Sequence, residues 1–380
     1  MKIWKQMLAL LLSLALTASL CACGGPDGDE TPSVSPDASG VDLSLDAVTY
    51  SAGISPAETL LTVNGDKIKA DLFLYFLYFC CDNIMSQYYY YYGTVPNSLE
   101  DVSEFLIDSA VSMTAGHTIV WQKTTELGCP LTDEQRAAVD EKKMSGGQEV
   151  YDQNKSFYGF TDESMDFVFA MSYYYDNVMN ATVPRPTEEE LGSYVYQVKH
   201  ILLMTVDTSK RQDDGSYLPL DDETVAEKLA LAEDLLAQLQ AAEGEERLAL
   251  FDELMEQYSE DTGLAYYPDG YEYTIEDSLV DGFTDTALSL EPGEISGILK
   301  TSYGCHILLR GDLEYREADA EEYMDYYQDY LFRQVLNQWR DEADTVRSEL
   351  LADFDVNAFF WRYIAYQDAL YEKYTADAAS

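Results

Sequence analysis

Histidine is scarce in this chain of 380 residues: there are three. Basic residues are few as well, with 23 Lys and Arg against 70 Asp and Glu, a formal charge of −47. That imbalance repels nucleic acid and anionic membrane surfaces. It suits solubility while sticky apolar clients are held, though a generally acidic proteome explains it equally well. Cysteine is short of any framework. Cys80, Cys81, Cys129 and Cys305 lack the spacing of metal ligands or of a disulfide scaffold and read as small buried apolar residues. The adjacent Cys80 and Cys81 diverge on a helix and cannot easily bridge. The apolar run at residues 7–20 is too short for an ordinary spanning helix of roughly 20 residues.

What is present at the start reads as an export signal. Lys2 and Lys5 precede the apolar run, and Leu20-Cys21-Ala22-Cys23 then fits a lipobox followed by Gly24-Gly25. Cys21 follows a leucine rather than a small residue, so Cys23 is the expected lipidation site. Two acyl chains on that cysteine would anchor stably where one is marginal. Residues 1–22 are thus expected to be a lipoprotein signal peptide. Residues 23–56, rich in Pro, Ser, Gly and Asp and without Lys or Arg, are expected to be a flexible acidic tether.

Two of the three histidines stand in a repeated tetrapeptide, His-Ile-Leu-Leu, at His200 and again at His306. Each copy reads as a short buried strand, over 198–203 and 304–309. Alternation puts His200 on one face with Leu202, and His306 with Leu308. If the strands pair, both imidazoles meet on one face. Between them lie a polar loop (207–222), a helix with a Val225, Leu229, Ala232, Leu236, Leu239 stripe, and a second helix near 246–258. Tyr258-Ser259-Glu260-Asp261, a Pro/Gly turn at 267–270, a strand at 271–274 and a short helix over 279–288 follow. This βα(α)βαβ order makes a small α+β domain.

The order and its marks resemble a parvulin-type peptidyl-prolyl isomerase. They are His200-Ile201-Leu202, the run from Phe251 to Asp261, the run from Phe283 to Leu290, Pro292-Gly293-Glu294-Ile295-Ser296, and the run from Thr301 to Ile307. One stretch departs: the family's Gly-Gly-Asp-Leu-Gly turn is replaced by Tyr267-Pro268-Asp269-Gly270-Tyr271. The resemblance implies a four-stranded antiparallel sheet over 196–312. It implies a proline pocket formed by Leu279 and Phe283 with Tyr271. Beneath the pocket it implies a polar network of His200, Asp261, His306 and Thr301, with the first three catalytic. A zinc site from the two histidines and Asp261 is conceivable by ligand type, but buried His pairs can simply hydrogen-bond, so no metal and no cofactor is expected. Lys210-Arg211 sits where phosphate-selective parvulins carry a basic cluster. Here it lies among Asp207, Asp213 and Asp214, so no phosphoserine preference is expected.

The flanks read as helical. A strand and turn at 59–66, an apolar helix from Leu72, a helix over 99–127 and capping boxes at Thr132/Gln135 and Thr187/Glu190 precede the parvulin-like part. A long helical stretch over 318–353 and an apolar 356–360 follow it. This order resembles extracytoplasmic foldase lipoproteins and their SurA-type relatives. It implies a parvulin inserted in a helical chaperone domain built from 57–195 and 313–380. Tyr88 to Tyr92 cannot all face one side of a helix; client binding and core packing both fit. His117 needs no role. The function implied is a lipid-anchored prolyl isomerase and chaperone outside the cytoplasmic membrane. Its clients would be unfolded secreted polypeptides with X-Pro bonds, with no nucleic-acid partner and a homodimer left open. The alternative is a non-catalytic holdase with an inactive parvulin.

Overall fold

The computed structural model describes residues 40–212, 215–277, 279–311 and 317–379. The expected signal peptide, Cys23 and most of the tether lie outside these. The described residues form two compact units: those of 40–184 with 331–379, and those of 185–330.

The first unit takes its strands from both ends of the chain. β1 (Thr59–Val63) and β2 (Asp66–Lys69) form a hairpin whose turn is Asn64-Gly65. Both turn residues have positive φ, 51° and 91°, as a two-residue hairpin turn of the strand-twisting kind requires. The other edge of β1 pairs with β9 (Thr345–Arg347), giving the order β2-β1-β9 with Thr62 opposite Val346. The long helix expected over 318–353 therefore stops early. It runs Glu317–Glu342, and β9 follows it. A three-residue strand carries too short an alternation to be seen beside a helical pattern.

Helices Ala70–Tyr92, Ser103–Glu126, Asp133–Lys143, Gly147–Tyr158 and Asp162–Thr182 build the body of this unit. The helix Val356–Ala379 closes it. Phe359, Phe360 and Tyr363 are each about 1% exposed. The Tyr363 hydroxyl donates to the Tyr158 carbonyl at 3.1 Å, and Asn357 accepts from the Leu99 N–H at 3.0 Å. The tether expectation fails over its last part. Ala47–Ala52 is a helix capped by Asp46, and Ala47 and Val48 are fully buried. Its composition resembles a linker, but two apolar side chains on one turn are enough to dock it.

Of the tyrosine run, Tyr88, Tyr90, Tyr91 and Tyr92 are exposed, which excludes core packing for those four. Cys80, Cys81 and Cys305 are buried as expected, whereas Cys129 is only half-buried, and all four are free thiols. No described helix is long and apolar enough to cross a membrane.

A fully buried carboxylate pins the middle of this unit. Asp71 accepts from the Thr161 N–H and hydroxyl at 2.9 and 2.8 Å and from the Ser164 hydroxyl at 2.7 Å. Thr161 is itself the cap of the helix Asp162–Thr182. Hydrogen bonds to a buried charge are worth more than neutral ones, and their loss strands the donors. Asp71→Ala is expected to destabilise this unit by about 3 kcal/mol in urea unfolding. A change within about 0.5 kcal/mol, the range of ordinary surface substitutions, would refute that role.

Candidate active site

The second unit centres on β3 (Val195–Met204) and β8 (Gly304–Arg310), the interior pair of the antiparallel sheet β6-β3-β8-β7. β6 is Tyr271–Thr274 and β7 is Leu299–Lys300. The register sets His200 opposite Leu308 and Leu202 opposite His306. The two histidines are therefore diagonal neighbours on one face, still within reach for long side chains. The other face carries Ile201, Leu203, Cys305, Ile307 and Leu309. It packs on the helices Asp222–Ala241 and Gly244–Tyr258 through Ala232, Leu235, Leu239, Phe251 and Leu254. Period-two alternation thus separates a hydrophobic core from a working face.

Three local expectations change. The polar loop after β3 is a hairpin of β4 (Val206–Arg211) with β5 (Tyr217–Pro219). The short helix expected over 279–288 spans only Phe283–Leu288, opening after Gly282 in the left-handed region. The first strand, expected over 198–203, runs longer, over Val195–Met204.

β6 covers β3 only over Val195 to Val198, leaving the rest of that edge open. Ser259 and Glu260 occupy it. The Leu202 N–H donates to Ser259 Oγ at 3.0 Å, the Met204 N–H to the Glu260 carboxylate at 2.7 Å, and the Glu260 N–H to the Leu202 carbonyl at 2.8 Å. This stitching delivers Asp261 to His200. In the sequence Ser259 and Glu260 stand between Tyr258 and Asp261 with no pattern that assigns them this task.

The resulting network is a continuous line. Thr301 Oγ1 lies 2.9 Å from His306 Nε2, His306 Nδ1 lies 3.1 Å from His200 Nδ1, and His200 Nε2 lies 2.9 Å from Asp261 Oδ2. The Tyr271 hydroxyl donates to the same oxygen at 2.5 Å, and the Gly263 N–H donates to Asp261 Oδ1 at 3.0 Å. With both rings neutral and Asp261 ionised, one tautomer set satisfies every contact. Thr301 donates to His306 Nε2, His306 Nδ1–H donates to His200 Nδ1, and His200 Nε2–H donates to Asp261. Burial works against the Asp261 charge. The hydrogen bonds from His200, Tyr271 and Gly263 outweigh it and hold the carboxyl well below its usual range. Burial, with His200 adding to it, pushes the His306 imidazole down to about 4. Burial and the Asp261 charge push the Tyr271 phenol well above its usual value.

Phe283 stands edge-on above both rings, 5.4 Å from His200 and 5.8 Å from His306 between centroids. It is buried with Leu308, Val198, Tyr196 and Ala287, and Leu279 packs partly buried against the same cluster. Every expected site residue of this unit thus converges: His200, Asp261, His306 and Thr301 below, Leu279, Phe283 and Tyr271 around. Gly263 was not foreseen. A Cβ there would lie 2.0 Å from the Tyr271 hydroxyl, so only glycine lets that hydroxyl reach Asp261. Arg310 was missed too. It is buried on the same face over the Tyr196 ring at 5.1 Å, and its Nε and Nη1 have no hydrogen-bond partner among the described residues. Lys210 is paired with Asp207 at 2.7 Å, and Arg211 lies over the Tyr217 ring. Among the described residues, no group of three or more His, Cys, Asp or Glu side chains is arranged so that it could hold a metal ion.

Comparison with known proteins places this geometry. Residues 187–309 match the family described as the PPIC-type PPIASE domain. The chain therefore carries a PPIC-type parvulin domain. Among curated proteins, the foldase protein PrsA of Oceanobacillus iheyensis is 37% identical over 75 residues, 20% of this chain. That alignment spans a quarter of the relative's own length. Among solved structures, PrsA from Bacillus cereus covers 76% of this chain and 90% of its own, at 20% identity and a TM-score of 0.35. PrsA from Bacillus anthracis covers 60% and 93%, at 14% identity and a TM-score of 0.32.

The His306 shift has a consequence for stability. Its folded value, about 4, lies below the ordinary 6.5, so the unfolded chain takes up the proton first as pH falls. The contribution is full above pH 6.5 and is lost as pH falls toward 4, a change of about 3 kcal/mol. The full chain is expected to lose stability over that window, and His306→Gln should flatten the slope by that amount. Parallel pH profiles of urea unfolding for the two proteins, superimposing after a constant offset, would contradict it.

Proposed function

We propose that the chain is a foldase whose parvulin domain isomerises X-Pro peptide bonds of secreted polypeptides, on a helical scaffold that holds those clients. The observation that carries this reading is the line Thr301–His306–His200–Asp261 lying beneath the apolar wall of Phe283 and Leu279. Rotation about a peptide bond faces a barrier of roughly 18–20 kcal/mol because resonance gives the C–N bond double-bond character. The resonance form is polar, and water stabilises it. A pocket that grips the proline ring and excludes water favours the twisted amide, and fixed dipoles can stabilise it further. X-Pro isomerisation takes tens to hundreds of seconds unaided, slow enough to limit folding. No covalent step and no metal is needed. Asp261 and the imidazoles orient and polarise; they do not attack.

The domain assignment belongs to the same proposal: signal peptide 1–22, tether from Cys23, parvulin 196–312, and one scaffold from the two flanks. The exposed Tyr88, Tyr90, Tyr91 and Tyr92 suit client contact, since tyrosine offers a large apolar face with a polar tip. Anchoring through Cys23 on the extracytoplasmic face follows from the lipobox. Mass spectrometry of the mature N-terminus is expected to find an acylated Cys23, and an unlipidated product beginning past Gly24 would exclude the anchor.

Turnover of cis–trans peptides tests the catalytic half. Asp261→Ala should lower kcat/KM by at least about tenfold, or 1.4 kcal/mol of transition-state stabilisation, while the protein stays folded. Phe283→Ala should cost more, but also about 3–5 kcal/mol of stability, so folding is checked first. Equal rates for wild type and Asp261→Ala, or activity only on phosphoserine-proline peptides, would overturn the site assignment. Absence of turnover together with suppression of aggregation would favour the holdase alternative, which the replacement of the family's glycine-rich turn keeps open.

A further inference from the structure

The stretch that departs from the family pattern builds an aromatic surface beside the proline pocket. Tyr271 and Tyr273 stack at 5.4 Å with an 11° interplanar angle. Tyr273 meets Phe283 edge-on at 6.4 Å, and Tyr267 lies against Tyr271 at 5.1 Å. The surface therefore runs unbroken from the pocket wall to Tyr267, which is 56% exposed. Tyr267 is not a loose side chain on a loose loop. Its N–H donates to the Gly263 carbonyl at 3.0 Å, and its carbonyl accepts from the Gly270 N–H at 3.1 Å. Gly270, at φ 95°, lies so close to β3 that a Cβ would sit 2.8 Å from the Val198 carbonyl oxygen. The turn is thus pressed onto the sheet, holding Tyr267 and Tyr271 together on the pocket side. Tyr271 is also tied to Asp261 at 2.5 Å, so the surface is joined directly to the polar network.

We propose that this tyrosine surface is a specificity subsite that receives an aromatic side chain flanking the substrate proline. Aromatic pairs at this spacing gain more than their buried area, through edge-to-face and offset contacts. A preformed surface gains that at little cost in ordering. The Asp261 carboxylate, bonded to Tyr271, disfavours an acidic residue at the same place.

The inference rests on the isomerase reading of this site, so turnover and binding are measured in parallel on the full chain. The probes are peptides with Ala on both sides of proline, Phe before it, or Phe after it. Wild type is expected to favour one of the Phe peptides by about fivefold in kcat/KM and in affinity. In Tyr267→Ala that ratio should fall to about one. Tyr266→Ala is the control: that side chain is 82% exposed, and the ratio should persist. A ratio near one in wild type, or one unchanged in Tyr267→Ala, overturns the subsite. A Phe preference in binding without turnover of any peptide overturns the isomerase reading and leaves the subsite standing.

Discussion

The pairing of β3 with β8 is the constraint on which the second unit depends. Sliding it by one residue would turn His200 or His306 to the helix-covered face and bury a polar ring among leucines, a costly exchange. The observed register is held from both faces. Ile201, Leu203, Ile307 and Leu309 fill the core against two helices, and Val198 and Leu308 sit under Phe283. The histidines' facing nitrogens are a by-product of that packing. The hydrophobic pattern fixes where the rings stand, and the hydrogen bonds then fix how they turn.

Much of this was legible because the repeated His-Ile-Leu-Leu carries its own periodicity. Two strands that share this tetrapeptide, with the histidine at the same phase, present both imidazoles on one face once they pair. The candidate site residues His200, Asp261, His306, Thr301, Leu279, Phe283 and Tyr271 follow from the parvulin order, and the fold gathers them in one place. What could not be read was the means of delivery. Ser259 and Glu260 act through backbone groups of β3, and such contacts leave no pattern in side-chain type. Gly263 matters through the space it leaves for Tyr271, and Arg310 reads in sequence as an ordinary strand-end cation.

The first unit was legible in helix content and in the strand and turn at 59–66, and poorly legible at β9 and at its edges. β9 has three residues, and its place beside β1 depends on segments almost 300 residues apart in sequence. No local propensity encodes that pairing; the Asp344 N–H to Asn64 Oδ1 bond and the Asn64 N–H to Asp344 carbonyl bond seal it. The segment 41–56 misled for the opposite reason. Composition argues about averages, whereas docking needs only Ala47 and Val48 on one short capped helix.

The pKa directions at the site agree with a mechanism of shape and fixed dipoles rather than proton transfer. Asp261 is driven far down, His306 down and Tyr271 far up. Each is moved away from neutrality, so the carboxylate stays charged and the other two stay neutral. A general acid or base is tuned the other way, toward the working pH. Tyr271 strengthens this. The hydroxyl adds a third donor to Asp261 and locks the carboxylate in its ionised form, while the ring continues the apolar wall. The departure at 267–271 therefore leaves the polar line intact and changes what lies beside it.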